Sequence, residues 1–548
     1  MLATVEPAAV WLRPVGERAS RCRSESRQHP FCNFVSKRRD CIGRLRANPR
    51  KTAVSDVLPS AEIDRAGFAQ RVRSALIWRS GSQICAQIIT WASTFVVINL
   101  LKPADYGLFA LTQVILAFLS FLNGYGFANA LVQSESVEPH RLRQAFGLLL
   151  LLNAALAAAQ FFGAPLAAAY YGEPMVADLL RVQALIYLAT PFITLPEVML
   201  SRRLDFRRQA AVNMIAAVIG AATALGGALA GWGVWTLVYA PIAIFWTRAI
   251  GLTIVARLLV WPSFDFRGCG NLLAFGGAVL ASQLFWLVQT QADVLIGGRL
   301  FPLGELGLYT TALFLTQLIA SKFVPPLNEV AFPAYARIQS DANAVRWNFL
   351  KAMRLILLVT APLYLGLAVT AEPLVAALLA PKWQGMVPYV QLLAFAMPFI
   401  TMQILFSPVT NALGRPRIAV WSALCGAIIF PAAFVIGSGH GVIGLAWAWL
   451  GAAPLLLLAT ALISRPVTGV GLTDIARAAL PGLSCALLMA ALVAALDTLT
   501  PVGSWPALAR LVGLVGAGGV SYAALIFVLE RETLHELWRL VRRQPATA

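Results

Sequence analysis

Three charged residues stand inside long apolar runs: Arg248, Lys322 and Asp293. An ionised side chain at mid-bilayer costs ~2.5–3.5 kcal/mol even on a lenient scale, so each is expected to face a protein interior or water. Two cations in that setting make an anion site, suited to a phosphorylated head group. The competing expectation for Arg248 and Lys322 is snorkelling to the nearer surface. A buried carboxylate such as Asp293 fits a coupling or gating site, or a helix–helix hydrogen bond or pair with Arg299. Nothing else in the chain competes as chemistry. No Lys follows a Gly, so no P-loop exists, and His535-Glu536 lacks the second His of a zinc-protease helix. The four histidines are scattered and the seven cysteines form no C-x-x-C pair. No catalytic group, cofactor or metal site is predicted.

The elements that position these charges are membrane helices. The chain is 59% hydrophobic and 12% charged, against about a quarter charged in soluble domains. Apolar runs of about 20 residues, enough to cross a bilayer, recur from residue 82 to residue 530. Fourteen spans are predicted: 82–101, 107–128, 145–163, 179–200, 211–230, 234–257, 272–298, 307–330, 354–371, 388–410, 418–437, 440–463, 476–496 and 508–530. In lipid each must be a helix, because every backbone polar group needs an internal partner. The fold class is therefore all-α and polytopic. With both termini in the cytoplasm, the internal loops hold sixteen Lys/Arg and the external side five: Lys102, Arg181, Arg299, Lys382 and Arg510. That bias sets the orientation. It also places Arg248, fourteen residues beyond Val234, and Lys322, fourteen beyond Leu308, at one depth, ~21 Å below the outer surface. Trp232, Trp261, Trp383 and Trp538 are expected as interfacial anchors.

The chain repeats itself. "VQALIYLATPFIT" (182–194) echoes "VQLLAFAMPFIT" (390–401), Pro165-Leu166 echoes Pro373-Leu374, and "GWGVWTL" from Gly231 echoes "GHGVIGL" from Gly439, at offsets of 207 or 208. A weaker match pairs "DYGLF" (105–109) with "ELGLY" (305–309). Two parallel six-helix repeats are predicted, related by an axis along the membrane normal, with two C-terminal helices appended. Pro191 and Pro398 recur mid-span, where each removes a helical hydrogen bond and bends its helix. Equivalent bends in both halves would shape a central cavity; ordinary packing is the plainer reading. Pro325, Pro326 and Pro333 are expected to break span 8 into a kinked, hinge-capable end, with Glu329 beside an inner-loop Arg. Gln283, Gln289, Gln291, Gln317, Asn153 and Gln160 either line a hydrophilic cavity or stitch helices together.

Charge is unevenly distributed. Residues 1–80 hold 16 Lys/Arg and 7 Asp/Glu, half of the net excess of +18. Residues 1–65 are expected to be a basic, disordered extension, or a mis-called start. Its nearer partner is anionic lipid rather than nucleic acid. Residues 66–80 read as an interfacial amphipathic helix presenting Arg71, Arg73 and Arg79 to phosphates. The remaining segments are an N-terminal bundle over 81–265, a C-terminal bundle over 266–465, two extra helices over 466–530, and a cytoplasmic tail over 531–548.

Five motifs in order, "PADYGLFAL", "GFANALVQ", "RRLDF", "DVLIGGRLFPLGELGLYTTA" and "FPAYARIQSD", carry a family resemblance. The chain resembles the polysaccharide transporters (oligosaccharide flippases) of the multidrug/oligosaccharidyl-lipid/polysaccharide exporter superfamily. The resemblance implies a flippase of the bacterial inner membrane that moves an undecaprenyl-diphosphate-linked oligosaccharide by alternating access, for O-antigen, capsule or exopolysaccharide. Its implied partners are that lipid, membrane lipids, and the polymerase and chain-length machinery. Lys322 and Arg248 are the cations available to a diphosphate. A multidrug antiporter would call for acids deep in the spans, where only Asp293 stands out. A membrane enzyme of the same assembly would call for a large external loop, and every predicted external loop is short.

Overall fold

The computed structural model describes residues 65–529, apart from 121, 123–138, 204, 258–259, 266–269, 500–502 and 504. The expected extension over 1–64 and the tail from 531 lie outside the described residues, as do the side chains of Arg71, Arg73, Arg79, Gln283, Pro326 and Glu329.

All regular elements among the described residues are helices. The first half comprises α1 (Arg65–Leu100), α2 (Pro103–Ser120), α3 (Pro139–Tyr171), α4 (Met175–Gln183), α5 (Leu185–Arg202), α6 (Phe206–Leu229) and α7 (Trp235–Ala256). The second comprises α8 (Gly270–Leu300), α9 (Leu303–Ile338), α10 (Ala342–Val369), α11 (Ala371–Leu378), a 3-10 turn (Pro381–Met386), α12 (Val387–Ile404), α13 (Phe406–Ala412), α14 (Arg417–Ser438) and α15 (Val442–Thr468). The last two helices are α16 (Leu472–Leu499) and α17 (Ala507–Leu529). Thirteen segments among the described residues are long and apolar enough to cross a membrane. Helix α8 occupies the place predicted for span 7.

Two of the sequence motifs start helices. In "RRLDF", Asp205 caps α6 by accepting from the Arg208 amide at 3.3 Å. In "FPAYARIQSD", Asp341 caps α10 by accepting from the Asn343 and Ala344 amides at 3.0 Å. Each carboxylate satisfies amides that the first turn leaves unpaired.

The duplication is visible in the packing. Helices α5 and α6 both pack on α7, and their counterparts α12 and α14 both pack on α15. In the first half the seam is apolar: Ala189 and Ile193 of α5 meet Val212, Ala249 and Leu252. The C-terminal pair docks on the second half, where α16 runs along α10 and buries Ala361, Leu365, Met489 and Val493. Arg510 of α17 holds Asp497 with two bonds of 2.7 Å and reaches Glu372 at 3.2 Å.

Two expectations are corrected. Helix α9 runs unbroken from Leu303 to Ile338 through Pro325, Pro326 and Pro333. A proline removes one amide and one i−4 bond, and the neighbouring turns hold the helix together. The segment before residue 81 continues into the first span without a break in α1. Trp383 is no interfacial anchor: it is fully buried, and its Nε1 donates to the Ile98 carbonyl at 2.9 Å.

Candidate functional site

A cavity of about 620 Å³ lies between the two halves, walled by α1, α2, α6 and α7 on one side and α8 and α9 on the other. Its polar positions follow helical spacing. Gln87, Thr90, Trp91 and Thr94 fall on one face of α1, and Thr310, Gln317 and Ser321 on one face of α9. Helix α6 contributes Ala217, Gly220, Ala221 and Ala224, small residues that leave the space open.

Lys322 is the single charged residue among those lining this cavity. Its Nζ donates to Gln87 Oε1 at 2.7 Å and stands 5.3 Å from the centre of the Trp91 ring. Both contacts hold the ammonium without neutralising it: an amide oxygen and an aromatic face carry no countercharge.

The cavity is closed at the end where α1 turns into α2 and α8 into α9. There Asn99 donates to the Leu378 carbonyl at 2.8 Å and accepts from the Ala380 amide at 2.6 Å. Lys382 donates to the Leu100 carbonyl, Tyr106 meets Trp383 edge to face, and Tyr170 donates to the Leu295 carbonyl with Arg299 over its ring. Gly107 of α2 and Gly307 of α9 press together backbone to backbone at the same end.

The other predicted site residues lie elsewhere. Arg248 is not in the cavity wall. Its guanidinium, about a quarter exposed, pairs with Glu197 of α5 at 3.3 Å, and Gln209 donates to the same carboxylate at 2.5 Å. The expectation of two cations in one pocket therefore fails, because a carboxylate neutralises Arg248. Asp293 is fully buried and accepts from the Tyr309 hydroxyl at 2.7 Å and from Trp449 Nε1 at 3.4 Å, while Arg299 stacks on Tyr170 instead. Pro191 and Pro398 are buried within continuous helices and do not line the cavity; the proline in its wall is Pro241 of α7. Of the predicted polar residues, Gln291 and Gln317 line it, whereas Gln160 ties α3 to the Leu180 carbonyl. Sequence reasoning missed Gln87, Trp91, Glu197, Tyr309 and Trp449. Glu197 had one legible signal: it is an acid at the Arg-rich end of a predicted span.

Residues 96–388 match the family described as polysaccharide biosynthesis protein. The chain belongs to this family. The match takes in Lys322 and begins after Gln87 and Trp91. The succinoglycan biosynthesis transport protein ExoT of Rhizobium meliloti (strain 1021) is 26% identical over 82% of this chain and 92% of its own length. The lipopolysaccharide biosynthesis protein WzxC of Escherichia coli (strain K12) is 23% identical over 54% and 61%. Among solved structures, lipid II flippase MurJ in an inward closed conformation covers 84% of this chain and 100% of its own, with TM-score 0.67 at 14% identity. An inward-facing multidrug transporter of the MATE family aligns with TM-score 0.55 at 12% identity, over 70% of this chain and 96% of its own. The fold is thus that of the superfamily named by the resemblance, and the chain is a multi-pass membrane protein related to polysaccharide transporters.

Proposed function

We propose that this protein carries an oligosaccharide linked to a polyprenyl diphosphate across the bacterial inner membrane, by alternating access, for surface polysaccharide assembly. One observation carries the reading: the inter-half cavity holds one charged side chain, and that charge is the positive Lys322. A diphosphate needs a cation, and a glycan needs the amides and hydroxyls of the remaining wall. The Lys/Arg distribution supports cytoplasmic termini, and with that orientation the closed end is periplasmic and the cavity faces inward. Substrate enters from the cytoplasmic leaflet, and rocking of the halves exposes it on the far side. Transport relatives and an acid-free cavity wall support this over an enzyme or a cationic-drug exporter.

The test is Lys322→Ala beside Lys322→Arg in cells, with surface polysaccharide and membrane abundance both measured. A charge-assisted bond contributes ~1.5–3 kcal/mol, or roughly 10- to 100-fold in affinity. Lys322→Ala is expected to lower export at unchanged abundance, with Lys322→Arg retaining most of it. Normal surface polysaccharide in Lys322→Ala would exclude the reading.

A further inference from the structure

A side branch of about 340 Å³ opens off the cavity within the first half, between α2, α5 and α7. Phe109, Gln113 and Pro241 line both spaces, so the two adjoin. Its volume falls in the range of small-molecule pockets, about 300–1,000 Å³. No charged residue lines it; its polar side chains are Gln113, Ser120, Gln183, Tyr187 and Thr190.

Ser120 donates its hydroxyl to the Leu116 carbonyl at 2.6 Å, and Thr190 to the Ile186 carbonyl at 3.0 Å. Tyr187 points its hydroxyl at the Leu116 carbonyl at 3.4 Å. Gln183 donates Nε2 to Thr112 Oγ1 at 3.0 Å, which orients the amide, while its buried Oε1 has no protein partner. The buried Gln183 oxygen is left over as an acceptor, and the Gln113 amide offers a ligand both donors and an acceptor. Pro241 adds a further acceptor: it lacks the amide that would bond the Leu237 carbonyl. A buried acceptor without a donor is costly, so the branch favours a ligand bearing donors. An uncharged wall of amides and hydroxyls gives phosphate no countercharge and suits sugar hydroxyls, and Phe109, Tyr187 and Phe245 offer apolar faces to ring C–H groups.

We propose that this branch is a subsite for a neutral sugar ring, placed so that the diphosphate stays with Lys322. The inference rests on the transport reading above and divides the substrate between two places. It is tested by binding of farnesyl diphosphate and of farnesyl diphosphoglucose to the purified full-length protein in nanodiscs. The ratio of the two dissociation constants reads the sugar subsite. Wild type is expected to prefer the glucosylated lipid, and Gln183→Leu to cut that preference by about threefold to tenfold, the effect of one hydrogen bond. Gln113→Leu, at the half-buried mouth, reduces it likewise and guards against a folding defect at Gln183, with melting temperature measured for both. Lys322→Ala weakens both lipids and leaves their ratio unchanged. No preference in wild type, or an intact preference in both glutamine variants, overturns the sugar subsite alone. Binding of neither lipid by wild type overturns the transport reading, and the subsite falls with it.

Discussion

Gly107 and Gly307 meet across the two halves in a reciprocal contact. A Cβ on Gly107 would fall on the Leu303 carbonyl, and one on Gly307 on the Pro103 carbonyl. The positions are equivalent in "DYGLF" and "ELGLY", so the weakest of the sequence echoes marks the place where the duplicated units touch. Only a residue without a side chain lets two membrane helices approach this closely.

Gly107→Val and Gly307→Val are each expected to force α2 and α9 apart, because the obstacle is backbone that cannot rotate away. Surface polysaccharide should drop by roughly tenfold or more, the order of one overpacking penalty of about 1–3 kcal/mol. Export at the wild-type level in either variant would show that the contact is dispensable.

Asn99 is the polar clasp of the same closed end. Asn99→Leu leaves the Ala380 amide and the Leu378 carbonyl without their partners, at about 1–3 kcal/mol for each group that stays buried. The equilibrium should shift toward opening of this end. Labelling of an Ala380→Cys reporter by a membrane-impermeant thiol reagent measures that shift, with faster labelling in the Asn99→Leu background as the expected result.

Arg248 and Glu197 are predicted to act in stability rather than in substrate binding. The pair is only partly buried, so removing one partner costs less than the ~3–5 kcal/mol of a fully buried pair, on the order of 1–2 kcal/mol. Arg248→Met and Glu197→Gln should each lower membrane abundance and melting temperature, and the double variant should recover part of the loss. A single variant with normal abundance but abolished binding of farnesyl diphosphate would instead return Arg248 to the anion site.

The Asp293 carboxylate holds three helices together through Tyr309 on α9 and Trp449 on α15. Asp293→Asn keeps an acceptor and should remain folded. Asp293→Leu strands the buried Tyr309 hydroxyl, while Trp449 Nε1 keeps the Tyr309 oxygen at 2.8 Å; it should cost about 1–3 kcal/mol of stability, read as a lower melting temperature. Loss of export in Asp293→Asn at normal abundance would point to a coupling role.

Much of the architecture was legible because it is local. A run of apolar residues declares a span wherever it packs, and a duplicated Pro-Phe-Ile-Thr declares two copies of a unit. The candidate site was legible only in part. Lys322 announced itself as a charge deep in a span, but so did Arg248, and hydropathy treats them alike. What separates them is the neighbour each meets: Glu197, 51 residues before Arg248, and Gln87, 235 residues before Lys322.

By itself the sequence determined the class of solvent, the number of membrane spans to within one among the described residues, their duplication and the family, since these depend on composition and order along the chain. Only the tertiary structure decided which polar residues share a cavity, that α9 continues through its prolines, and that one cation is neutralised while the other faces open space. Those outcomes depend on the rotation of each helix about its axis and on which helix packs beside it, and no local pattern encodes either.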